Sequence, residues 1–172
     1  MPDKQQPVED PAQRAKDLCL RLLTIRPRTR VELERTLLRK GFDADIVGQV
    51  LGRLNAVGLV DDKAFAEVWV RSRHAYEGLG RHALAAELRR KGVDASVTAE
   101  AVATVDYAAE EERARQLVRK KLRTMGNADN QAKVRRLVGM LARKGYTQGM
   151  SFRVVRDELN TAGEDTTLLD ES

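Results

Sequence analysis

Few residues of this 172-residue chain stand at the spacings that bond-making chemistry uses. Asp61 and Asp62 are neighbours, so on a helix they point about 100° apart and cannot work on one face as an acid/base pair. Each suits the start of a helix instead, where a short carboxylate accepts N–H groups that the first turn leaves unpaired. His74 and His82 are joined by no second cysteine and by no carboxylates at ligand spacing, so no metal site is expected. Gly78-Leu79-Gly80 follows no strand pattern and precedes no G-K-[ST], and is therefore not a phosphate loop. Cys19, the single cysteine, lies in the apolar run LCLRLL. It reads as a small buried hydrophobe and precludes an internal disulfide, as in a reducing cytoplasm. The chain is expected to be no enzyme and to carry no cofactor.

Cationic side chains are the remaining chemical resource. Residues 107–159 hold 13 Lys and Arg against 6 Asp and Glu, a larger excess than the whole chain's net +5. On a helix over 107–125, Ala114, Leu117, Val118, Leu122 and Met125 share one side, while Gln116, Arg119, Lys120 and Arg123 lie opposite. Glu111 can pair with Arg115 at i, i+4, but no acid lies within such reach of Arg119 or Arg123, so that stripe is expected to be free. Lys133, Arg135 and Arg136 extend it onto the following helix. Arg28 and Arg30, and Arg71 and Arg73, form smaller basic pairs upstream. Such a surface suits a phosphate backbone or an acidic protein groove. Reading of a specific duplex sequence is not expected. The last helix of the first unit offers only Gln49, Arg53 and Asn55 to base edges, and that of the second offers no basic residue.

The elements that must carry these residues are helices. One Trp, three Tyr and three Phe leave cores to Leu, Val and Ala, which favours helix over sheet. Residues 1–14, with three prolines, read as a disordered lead-in. A helix from Ala15 ends near Arg26-Pro27. A second opens at Thr29, with Glu32 completing a capping box, and Asp45 caps a third. Asp61 and Asp62 open the central helix, on which Phe65, Val68, Trp69, Ser72 and Tyr76 recur at helical spacing and mark a buried side. Gly78 and Gly80 then form a turn before the next helix. No run approaches the apolar length of a membrane span, and no secretory leader is present, so a cytoplasmic location is expected.

One phrase recurs: L-L-R-K-G-F at Leu37 to Phe42, L-R-R-K-G-V at Leu88 to Val93 and L-A-R-K-G-Y at Leu141 to Tyr146. Gly41, Gly92 and Gly145 are 51 and 53 positions apart, so the chain is an internal repeat. Leucine packs, the cations meet the negative helix end, and glycine takes the left-handed cap, so helix termination accounts for the whole phrase. The predicted fold is all-α, an elongated tandem array of three three-helix repeat units over 15–60, 61–106 and 107–160. An acidic, flexible tail is expected over 161–172.

The string GLVDDKAFAEVWVRSR, the turn G-L-G-R and the ending E-L-R-R-K-G-V resemble the central signature of the RecX family of bacterial regulatory proteins. Upstream, Arg26, Arg28, Glu32, Leu33, Lys40, Gly41 and Phe42 are similar to its opening R-x-R, E-L and K-G-F elements. The likeness runs from Ala15 to Leu159, with Arg81 and His82 standing where many members have proline. It implies a monomer that binds RecA filaments on single-stranded DNA, along the filament groove and across several protomers. By the same resemblance it would inhibit ATP hydrolysis, strand exchange and repressor cleavage, and so restrain recombination and the SOS response. The basic third unit supports an alternative, a nonspecific nucleic-acid-binding protein that contacts DNA directly.

Overall fold

A computed structural model of the protein describes residues 9–170, with side chains through 163. Among the described residues there are nine α-helices and no strand. The first unit comprises α1 (Pro11–Ile25), α2 (Arg30–Arg39) and α3 (Ala44–Ala56). Asp10 caps α1 through a hydrogen bond from the Ala12 N–H, with Pro11 in the first turn, where its missing N–H is no loss. The helix thus begins four residues before Ala15, inside the expected lead-in. Residues 1–8 of that lead-in lie outside the described residues.

Only half of the predicted capping box forms. The Thr29 hydroxyl accepts from the Glu32 N–H, but the Glu32 carboxylate is taken by Arg26 and Lys91. Likewise α3 is entered at Asp43, with Asp45 inside its first turn.

The second unit comprises α4 (Asp62–Ser72), a π-helical turn at Arg73–Glu77, α5 (Arg81–Arg90) and α6 (Ala95–Ala103). Its buried side differs from the predicted one. Phe65, Ala66 and Val70 face the core and Trp69 is half-buried, whereas Val68, Ser72 and Tyr76 are exposed. Apolar residues surround α4 on nearly every side, so periodicity could not select the face; packing against α6 does. The third unit comprises α7 (Tyr107–Leu122), α8 (Asn130–Arg143) and α9 (Gln148–Asp170). Neither proline nor a left-handed glycine interrupts the chain after Asn160. Accordingly α9 continues through the first ten residues of the expected flexible tail; residues 171–172 lie outside the described residues.

Each unit has its own core. Leu33, Leu37, Val47, Val50, Leu51 and Leu54 close the first, with Ala15 and Cys19 beneath them. Burial pushes the Cys19 thiol pKa up, as its reading as a hydrophobe requires. Phe65, Val70, Leu84, Leu88 and Ala101 close the second, and Val118, Leu137, Leu141, Met150, Val154 and Val155 the third. Since none of these cores spans two units, the connection between units must be made otherwise.

Polar joints make it. At the first joint the Thr29 hydroxyl donates to the Lys91 carbonyl at 2.6 Å, and Lys91 Nζ pairs with Glu32 at 3.1 Å. Asp62 accepts from the Arg30 N–H at 2.9 Å. At the second, the Gly80 N–H donates to the Lys144 carbonyl at 2.7 Å and the His82 N–H to that of Gly145 at 3.2 Å. Glu110 accepts from the Arg81 N–H at 2.7 Å. In both joints the K-G end of one unit therefore sits on the start of the second helix of the preceding unit. In both, a carboxylate from the later unit's first helix satisfies an unpaired N–H there.

The K-G phrase thus does more than end helices. A methyl group on Gly92 would stand 2.5 Å from Cβ of Val31, and one on Gly145 would overlap Ala83. At Gly41, which has no preceding unit, nothing lies within 4 Å.

Candidate partner-binding surface

The basic surface predicted on unit three is built on α7. Asp106 caps this helix by accepting from the Ala109 N–H, and Ala114 and Val118 anchor its inner side. Arg119, predicted to be free, is not. Its Nε and Nη2 meet the two carboxylate oxygens of Glu158 on α9 at 2.9 and 3.0 Å, a bidentate pair that holds the guanidinium pKa up. Arg115 joins Glu111 at 2.8 Å, Asp157 at 3.1 Å and Glu158 at 3.4 Å. Glu111 is the expected i, i+4 partner of Arg115, but Asp157 and Glu158 lie about forty residues along the chain, beyond any i, i+4 search.

The other candidates on this unit keep their charge available. Lys120, Arg123, Arg135 and Arg136 are exposed and Lys133 half-buried. Lys120 and Arg123 end α7, and Lys133 and Arg136 lie in the first two turns of α8, so four cations flank one helix connection. No carboxylate within the described residues pairs with any of them, so each remains free to meet an anion.

The upstream candidates divide in the same way. Arg28 donates through Nε to the Leu22 carbonyl at 3.2 Å and so closes the end of α1. Arg73 grips Glu87 through Nη2 at 2.7 Å and Nε at 3.0 Å, with its guanidinium 5.6 Å from the Trp69 ring centre. Burial alone would raise the Glu87 carboxyl pKa, but hydrogen bonds from Arg73 and the Trp69 indole outweigh it and hold the group below its ordinary value. Arg73, one of the candidate cations, is therefore committed to a contact within unit two. Arg71 is exposed, and the Arg30 side chain is half-exposed beside its joint.

Residue spacing gave no sign of the side chains that set the second joint. Arg113 reaches from α7 to the carbonyls of His74 and Ala75, at 3.2 and 3.0 Å, and so caps the π-helical turn. The Tyr146 hydroxyl donates to the Gly78 carbonyl at 2.8 Å, and burial pushes its pKa well up. The available signal was the repeat itself, because a polar-glycine phrase returning at fixed intervals also implies a contact returning at those intervals.

Comparison with known proteins agrees with this architecture. The family models described as the first, second and third three-helix domains of RecX match residues 15–54, 61–102 and 109–155. The Regulatory protein RecX of Amycolatopsis mediterranei is 51% identical over 100% of this chain and 98% of its own. That of Mycolicibacterium smegmatis is 55% identical over 92% of this chain and 88% of its own. Among solved structures, RecX from Lactobacillus salivarius superposes with a TM-score of 0.81 at 20% identity, covering 88% of this chain and 98% of that one. With three successive domain models matched and about half of all residues shared across its length, the chain belongs to the RecX family of regulatory proteins.

Proposed function

We propose that this chain is a cytoplasmic, monomeric negative regulator of the RecA recombinase, lying along the groove of RecA filaments on single-stranded DNA. In this reading it inhibits ATP hydrolysis, strand exchange and repressor cleavage, and thereby limits recombination and the SOS response. The units 15–60, 61–106 and 107–160 are its successive contacts. The supporting observation is the pair of polar joints, which hold three separate cores in one register and leave the unpaired cations of unit three at one end. Sixteen residues of α7 span about 24 Å, so three such units in series match the scale of a polymer more than that of one globular partner. Weak contacts on one chain reinforce one another through effective concentration, which favours a filament over a RecA monomer.

The test is RecA ATP hydrolysis on single-stranded DNA titrated with this protein, beside its binding to the same DNA without RecA. Inhibition is expected well below the concentration that coats bare DNA, and Lys120→Ala with Arg123→Ala should weaken it about tenfold or more, at about 1.4 kcal/mol per tenfold. Arg119 is left intact because its loss would take from Glu158 its bidentate partner and leave it only the longer contact with Arg115. Inhibition only where DNA is already coated would favour the alternative, a nonspecific nucleic-acid-binding protein. That alternative is favoured by the unpaired cations alone and predicts a steep loss of affinity with salt.

A further inference from the structure

Unit three carries a second surface feature that its basic residues do not explain. Between α8 and α9 lies an open slot of about 570 Å³, floored by Val134, Val138, Gly139 and Phe152. Phe152 is 47% exposed and shares the slot lining with Val134 and Val138, so the apolar surface there is a contiguous patch. The repeat does not require this slot. Counting from the glycine of each K-G phrase, the positions of Val134, Val138 and Phe152 are held in unit two by Arg81, Ala85 and Ala99, and in unit one by Arg30, Glu34 and Gly48. Large apolar side chains at all three positions therefore belong to the third unit alone.

Two further observations describe what fits there. Gly139 is an interior residue of α8, where glycine weakens a helix, yet any larger side chain would fill the slot floor. The rim is cationic. Arg135 lines the slot, and a Cβ added at Gly139 would stand 3.2 Å from Nη1 of Arg143, which therefore folds back over that glycine. Arg156 follows Phe152 by one helical turn. None of these three arginines has a carboxylate partner among the described residues, and no carboxylate lines the slot.

We infer that the slot receives an amphipathic helix from a partner protein, with apolar residues directed into the floor and acidic residues along its flanks. This rests on the reading of unit three as the partner-facing end. A groove between two packed helices accepts a third by ridge-into-groove packing. From Gln131 to Gly139 the slot is about 12 Å long, room for two turns whose anchors recur at i, i+3 or i+4, and i+7. The apolar floor with unpaired guanidinium groups around it complements acidic flanks and disfavours basic ones. A strand of nucleotides fits less well, because Phe152 is the only aromatic platform in the lining and successive bases need successive ones.

The experiment measures binding of the full chain to an acidic peptide with leucines at i, i+3, i+4 and i+7 and glutamates between them. A scrambled peptide of the same composition and a single-stranded oligothymidylate serve as comparisons. The patterned peptide should bind at least tenfold more tightly than the scramble. Gly139→Leu, which fills the slot while favouring the helix, should weaken it tenfold or more, and so should Phe152→Ser. Thermal melts of Gly139→Leu should show no loss of folding. Equal binding of the scramble, or an unchanged affinity in Gly139→Leu, overturns the inference. Loss of oligothymidylate binding in that variant, with peptide binding intact, overturns it in favour of nucleic acid. If wild-type protein leaves RecA ATP hydrolysis unchanged, the functional reading fails and the peptide result still stands on its own. If inhibition persists unaltered while the peptide does not bind, the slot assignment alone fails.

Discussion

The two joints place the same parts in the same register with different atoms. The first relies on side chains: a threonine hydroxyl, a lysine–glutamate pair and an aspartate. Two backbone N–H groups at the turn carry much of the second, with a buried tyrosine hydroxyl and an arginine that caps the turn's carbonyls. A constant geometry thus constrains the position of each donor and acceptor more than its identity. Backbone groups cannot be exchanged by point substitution, so the second joint should resist change at most positions and fail at the few where space is absent.

The largest expected effect separates glycine as a helix stop from glycine as a contact. Gly145→Val should cost about 3 kcal/mol or more, combining left-handed strain with overlap against Ala83. Gly41→Val, in open space, should cost only the strain, about 1 to 2 kcal/mol. Chemical denaturation of both variants measures the difference, and amide exchange at Gly80 and His82 should rise only in Gly145→Val. Equal costs would reduce the K-G phrase to termination alone.

Next come the hydroxyls. Thr29→Val removes both a helix cap and a joint bond, and should cost about 2 kcal/mol. Tyr146→Phe removes one bond and leaves the Gly78 carbonyl without it, at about 1 kcal/mol. The reverse order in unfolding experiments would mean that the buried tyrosine dominates its joint.

The smallest effect is one that fades in acid. Lys91 lies 4.4 Å from the Trp69 ring centre, and Glu87 orients that ring through the indole N–H, so the first joint rests on a titratable support. The folded Glu87 pKa is depressed, so its contribution is complete above the ordinary glutamate value of about 4.3 and is lost as pH falls through the lower folded value. The stability gap between wild type and Glu87→Gln should be constant above about pH 5 and shrink below about pH 4. A gap independent of pH would assign Glu87 a purely steric role.

Much of this molecule is determined locally. Helix starts at Thr29, Asp61 and Asp106, stops at Gly41, Gly92 and Gly145, and the near-constant repeat all follow from caps, left-handed glycines and apolar spacing, which act within a turn or two of the chain. The family signature is likewise continuous in sequence. Tertiary structure decided what is nonlocal. It turned Val68 on α4 and Tyr76 in the π-helical turn outward, paired Arg119 with Glu158 and Arg73 with Glu87, and sent Asp61 and Asp62 to caps on two different helices. It also opened the slot beside Phe152. Local rules specify where a helix begins and ends, but the partner of a long charged side chain, or the face that meets solvent, depends on which distant segment arrives beside it.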